Sequence, residues 1–157
     1  MPKWKPEFFG GGDYSMDSKR RIKFPSDWAP EKPEEADLVL ALVPDAQRKA
    51  YCIRVMEIGQ LREIDAKIKN QLADGKITSA QSLALRRIFF DNALKTRSDT
   101  NGRLTIPERL LEGSKIKKSV RLAGMGEWFE IWDADTYNRT AVADIETDLG
   151  AMDNAGI

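Results

Sequence analysis

The chain has 157 residues, 41% hydrophobic and 32% charged, which is enough length and apolar content to bury a core. Its 25 Lys and Arg balance 25 Asp and Glu, so any attraction to nucleic acid has to come from a local patch. With no histidine and a single cysteine, Cys52, it lacks the commonest general base and metal ligand and cannot close an internal disulfide. No apolar run reaches the roughly 18 residues of a membrane span, and the N-terminus has no apolar signal segment, so the expectation is a cytoplasmic, non-enzymatic protein without cofactor or metal.

The chain opens with Trp4, Phe8 and Phe9 ahead of Gly10, Gly11 and Gly12, a flexible link or a close-approach turn. The aromatics are expected to pack on the body or on a neighbour. Asp13–Met16 reads as a short strand. Asp17-Ser-Lys-Arg-Arg-Ile-Lys-Phe-Pro25 follows, with Lys19, Arg20, Arg21 and Lys23 against one acid, the densest positive cluster in the sequence. Pro25, Pro30 and Pro33 frame an acidic loop. Leu38–Val43 reads as a buried strand and Tyr51–Met56 as its hairpin partner.

Residues 57–74 read as a helix, since Ile58, Leu61, Ile64, Ile68 and Leu72 draw one apolar stripe, with Gly75 placed to cap its end. Thr78-Ser-Ala-Gln81 has the form of a capping box and opens a second helix carrying Leu83, Leu85, Ile88, Phe89 and Phe90, together with Arg86 and Arg87. Frayed polar residues are expected to lead from it into Asp99. Asp99-Thr-Asn-Gly-Arg-Leu-Thr-Ile-Pro107 then restates the earlier motif at a constant offset, since 99 − 17, 103 − 21 and 107 − 25 all give 82. In each copy a polar turn feeds a short alternating strand stopped by proline. Two uses of the motif's charges are open. The Asp and Arg pair to fix the loop, or the Arg is a presented basic residue used twice by a pseudo-symmetric body.

Lys117–Ala123 reads as a strand, Gly124-Met-Gly126 as a tight turn and Glu127–Trp132 as an aromatic strand. Trp128, Glu130 and Trp132 share one face of it and Phe129 and Ile131 the other. The Trp128/Trp132 face, with Trp4, Phe8 and Phe9, is expected to be apolar surface used in an oligomer. A last short helix starts near Asp133. The tail, with Asp144, Glu146, Asp148 and Asp153 and no base, is expected to be frayed or disordered and to lack the apolar stripe of a groove-binding segment.

Asp-x-x-Gly-Arg-Leu-x-Ile-Pro at 99–107, with Arg87-x-x-Phe90-x-x-Ala93 before it and Gly-x-x-x-x-x-Glu-Ile-Trp at 124–132 after it, resembles the MraZ family. Phe9-Gly10 ahead of Asp17-Ser-Lys-x-Arg21 resembles it too. The resemblance spans residues 8–139 and implies a mainly β fold with helices. Two pseudo-symmetric AbrB-like swapped-hairpin units would form a double-split β-barrel, with a helical pair connecting them. The implied division is a first repeat over residues 8–56, the helical connection over 57–97, a second repeat over 98–139 and an acidic tail over 140–157.

It also implies a nucleoid-associated transcriptional regulator of the bacterial division and cell wall gene cluster, a repressor. Such a protein would bind direct repeats in double-stranded promoter DNA as a homo-oligomeric ring. Lys19, Arg20, Arg21, Lys23 and Arg103 are the DNA-binding candidates, and Asp17, Asp99 and Gly102 the residues that structure the loops. No membrane or small-molecule substrate is implied. A ring that has lost DNA binding, or an antitoxin-like AbrB relative, are the alternatives. Arg20 stands where the family usually has Gly, as Gly102 does in the second copy, so a positive φ there would strain it.

Overall fold

The structure is a computed structural model that describes residues 4–140 and 145–157. The expected tail residue Asp144, and Met1 to Lys3 of the N-terminal extension, lie outside the described residues. The chain runs β1 (Gly11–Ser15), β2 (Arg21–Lys23), β3 (Leu38–Asp45), β4 (Ala50–Glu57), α1 (Ile58–Ala73), α2 (Ser79–Arg86), β5 (Leu94–Thr96), β6 (Arg103–Thr105), α3 (Glu108–Ser114), β7 (Ser119–Gly124), β8 (Trp128–Asp133), α4 (Ala134–Thr140) and α5 (Ile145–Ala155). The fold is mixed, a large antiparallel sheet with helices, as expected.

The strands form a six-stranded sheet in the order β1-β7-β8-β4-β3-β5 and a separate two-stranded ribbon of β2 and β6. Exchanging the halves, β1 with β5, β3 with β7 and β4 with β8, returns the same order reversed. The lead strand of each half pairs with the hairpin of the other. Leu38 lies opposite Thr96 and Val120 opposite Tyr14, and 120 − 38 and 96 − 14 both equal 82. The duplication seen in the sequence is therefore a duplication of pairing, with the halves interlocked.

The interlock leaves one main core between the sheet and the ribbon. Ile22 and Leu104 face inward from the ribbon onto Leu40, Ile53, Val55, Leu122 and Phe129. Phe8 and Trp28 meet edge to face at 5.5 Å, and each packs on Phe129, at 5.0 and 4.9 Å. Gly11 is the close-approach glycine. A Cβ there would overlap the Leu122 carbonyl oxygen, so β1 can lie on β7 only without a side chain.

The other sheet face is roofed in two places. Phe89 and Leu61 pack on Val39, Ala41 and Met56, so the hairpin of α1 and α2 covers one half. The capping box forms as read: the Gln81 amide donates to Thr78 Oγ1 at 3.1 Å, and Gln81 Oε1 accepts from the Thr78 amide at 2.9 Å. Tyr137 of α4 packs on Trp132 and the buried Cys52 on the other half.

Three expectations change. The Trp128/Trp132 face is not open surface: Trp132 is 1% exposed beneath Tyr137, and Trp128 packs on the helical hairpin. Phe8 and Trp4 likewise belong to the main core and its margin, leaving Phe9 as the exposed member of that group. The polar residues before Asp99 are not simply frayed, because β5 forms there on the strength of pairing with β3. The tail is not disordered over residues 145–155 but helical, with Leu149 and Met152 a helical turn apart and exposed.

Candidate nucleic-acid interface

In the ribbon, Arg21 lies opposite Thr105, Ile22 opposite Leu104 and Lys23 opposite Arg103. Alternation sends Ile22 and Leu104 into the core, so Arg21, Lys23, Arg103 and Thr105 share the outward face. Lys23 and Arg103 are thus like charges in direct cross-strand register, an arrangement that costs the fold stability. The strands are antiparallel, which puts the Asp17 loop at one end of this face and the Asp99 loop at the other.

The loops have the same internal geometry. Asp17 Oδ1 accepts from the Lys19 amide at 2.8 Å and the Arg21 amide at 2.9 Å, while Oδ2 takes Arg21 Nε at 2.7 Å. Asp99 Oδ1 accepts from the Asn101 and Arg103 amides, both at 2.9 Å, and Oδ2 takes Arg103 Nε at 2.8 Å. Each carboxylate so fixes a turn and a guanidinium together. Only Nε of each arginine is engaged in these half-buried pairs. The Arg21 amide, the guanidinium and the Lys19 amide hold the Asp17 carboxyl below its usual range despite some desolvation. At Asp99 burial pushes the carboxyl up, but the Arg103 amide and guanidinium and the Asn101 amide outweigh it, and the net shift is downward.

Of the two readings of the motif's charges, the Asp–Arg pair that fixes the loop forms in both copies. The Asp fixes the loop and holds an arginine whose terminal nitrogens have no hydrogen-bond partner among the described residues. The turn also requires the left-handed conformation. Arg20 has φ 60° and Gly102 φ 71°, at matched positions. The carbonyl of each extends the ribbon, Arg20 accepting from Ile106 at 2.9 Å and Gly102 from Phe24 at 3.2 Å. Arg20 thus carries backbone strain that glycine would avoid, offset in part by an exposed ion pair with Glu108 at 3.2 Å.

The ends of the ribbon differ in charge. Lys19 and Arg20 are exposed around the first loop, whereas Asn101 and Gly102 occupy their positions in the second, where Lys23 is the exposed base opposite Arg103. Gly102 abuts Ala29, which lines a cleft of about 900 Å³ carrying both acids (Glu7, Asp27, Glu31, Glu35) and bases (Lys5, Lys32). The first loop is therefore the more basic of the two.

Sequence reasoning singled out the charged loops and missed other placed cations. Arg54 lies 4.5 Å from the Trp128 ring centre, and Arg48 4.0 Å from that of Tyr137. Both brace the outer face of the sheet, and strand alternation alone would have put Arg54 beside Glu130. Glu130 accepts from both indoles, Trp132 at 3.0 Å and Trp128 at 3.4 Å. Among the described residues no cluster of ligating side chains is arranged for a metal ion.

Residues 89–156 match the family model of the MraZ protein, which is described as antitoxin-like. The protein named transcriptional regulator MraZ of Pseudomonas aeruginosa strain LESB58 is 30% identical over 138 residues, covering 88% of this chain and 87% of its own. Those of Pseudomonas putida strain F1 and Pseudomonas entomophila strain L48, under the same name, are 28% identical over 138 residues with the same coverage.

Proposed function

The chain belongs to the MraZ family, and on that premise we propose that it is a DNA-binding regulator of transcription. Its ribbon of β2 and β6 is the surface that meets promoter DNA. Its relatives are named as transcriptional regulators, not enzymes. The observation that carries the reading is the outward face of the ribbon, where Lys23 and Arg103 stand in direct register with Arg21 beside them. Such a face is unfavourable alone and becomes favourable against a polyanion. Lys and Arg that neutralise phosphates release condensed counterions, and a two-stranded ribbon is slim enough to enter the major groove.

The roles divide along the ribbon. Lys19, Arg20 and Lys23 hold phosphates. Arg21 and Arg103, each steadied at Nε by its aspartate, offer their terminal nitrogens to guanine O6 and N7. Asp17 and Asp99 position the arginines and stay off the DNA, since a carboxylate repels phosphate. Lys19 and Arg20, where the second loop has Asn101 and Gly102, make the Asp17 end the dominant contact.

One copy makes few contacts and binds weakly. A homo-oligomeric ring presenting several ribbons to spaced direct repeats turns weak contacts into avidity. In this reading the protein is a repressor of the division and cell wall gene cluster and acts on the nucleoid. No helix among the described residues is long and apolar enough to cross a membrane.

The test is fluorescence anisotropy on DNA taken from immediately upstream of its own gene, against a shuffled duplex, over a salt series. Tighter binding to the upstream DNA, with affinity falling steeply with salt, is expected. Equal affinity for both duplexes at every salt concentration overturns sequence-specific binding.

A further inference from the structure

Two surfaces of this chain are left uncovered and are complementary to one another. The first is α5. Apart from the half-buried Gly150, every residue described from Glu146 to Ile157 is exposed. Leu149 is 54% and Met152 48% exposed. Glu146, Asp148 and Asp153 supply its charge, with no base after Arg139. An eleven-residue helix is too short to be stable in water by itself, so its apolar side calls for a partner face.

The second surface is the outer side of the α1–α2 hairpin, which buries its other side on the sheet. Leu83 is 53% and Phe90 42% exposed. Between them in sequence lie Arg86 and Arg87. Arg86 reaches across to Asp65 at 2.9 Å and stands 5.7 Å from the Phe90 ring centre, while Arg87 is exposed. An apolar strip interleaved with arginine is what an acidic amphipathic helix fits.

We propose that α5 of one copy docks on the α1–α2 hairpin of a second copy, with Leu149 and Met152 against Leu83 and Phe90 and the acids of α5 against Arg87. The occupant is another copy because, within one chain, both faces stand open at once. The chain's own α5 leaves its own hairpin bare. The contact is heterologous, since a surface on one copy meets a different surface on the next, and repeating it builds a ring when the rotation closes. The proposal deepens the oligomeric part of the function above and does not depend on DNA binding.

The experiment is cross-linking between two full-length variants, one carrying Leu83→Cys and the other Met152→Cys, mixed and treated with a flexible bis-maleimide. Native Cys52 is 1% exposed, and burial pushes its thiol up, so it stays silent. A mixed cross-linked dimer is expected, and added Leu149→Lys in the Met152→Cys partner should abolish it. Because α5 is not part of the core, that change leaves the fold intact by circular dichroism. Light scattering on Leu149→Lys with Met152→Lys should show self-association weakened by about tenfold or more.

An oligomeric protein that gives no mixed cross-link overturns this docking and leaves the ring standing. A cross-link confined to one chain, seen when a single protein carries both cysteines at high dilution, overturns the choice of a second copy. A wild-type protein that scatters as a monomer overturns both. Loss of promoter binding with the cross-link intact would remove the DNA reading alone and leave the docking supported.

Discussion

Arg20 sets two physical demands against each other, and a pair of substitutions separates them. Its φ of 60° is the left-handed conformation that Gly102 adopts at 71° in the matching loop. For a residue with a Cβ that conformation costs about 1–2 kcal/mol, while glycine loses about 0.5–1 kcal/mol more chain entropy than alanine on folding. Arg20→Gly and Arg20→Ala both remove the guanidinium and its exposed pair with Glu108, a pair worth at most about 1 kcal/mol. Only Arg20→Gly also removes the strain, so it should be more stable than Arg20→Ala by about 1 kcal/mol, or about 2–4 °C in Tm for a chain of this size. Thermal melts at one fixed protein concentration read this difference, because assembly makes Tm concentration-dependent. In anisotropy both variants should weaken promoter binding alike and lower the salt slope by about one charge per bound copy. Strain kept for the sake of a phosphate contact predicts that pairing of results: stability split, affinity loss shared. Arg20→Gly melting below Arg20→Ala would refute the strain argument, and wild-type affinity in both would refute the contact.

The same reasoning extends to neighbouring residues. Arg21→Ala should cost about 1–3 kcal/mol per site in promoter binding. Arg103→Ala, in the less basic loop, should cost less, and equal losses in the salt titration would cancel the assigned polarity. The carboxyls of Asp17 and Asp99 lie below their unfolded range, so their contribution to stability is present above about pH 4 and is lost as pH falls through their folded values. Acid titration by circular dichroism should therefore show the wild type losing stability more steeply below about pH 4 than Asp17→Asn with Asp99→Asn, which no longer titrates there. Gly11→Ala would force a Cβ into the Leu122 carbonyl and should lower stability by about 1–3 kcal/mol, and an unchanged melting temperature would mean β1 does not lie on β7 as described.

The duplicated motif was legible because turn chemistry is local: Asp, a polar pair and an αL position are written in adjacent residues, twice. The caps of the helices at Gly75 and Thr78 were legible for the same reason. What sequence could not supply was the exchange of strands between halves. That the Asp13 region pairs with β7 while β5 pairs with β3 depends on contacts far apart in the chain, and Leu94–Thr96 has no strand pattern of its own. The Trp128/Trp132 alternation was read correctly, but alternation says only that two residues share a face. It took the placement of α4 and the hairpin to show that this face is covered. In the tail the acids mask the helical signal, which is carried by the turn-spaced Leu149 and Met152.

The central claim is that DNA lies on the outward face of the ribbon. Thr105 stands on that face opposite Arg21, is exposed and carries no charge, while Lys69 is exposed on α1 on the other side of the sheet. Replacing each in turn with a photo-reactive amino acid and irradiating the protein on its promoter DNA locates the duplex directly. The account predicts covalent capture of DNA from position 105 and none from position 69. Capture from 69 with none from 105 would contradict it.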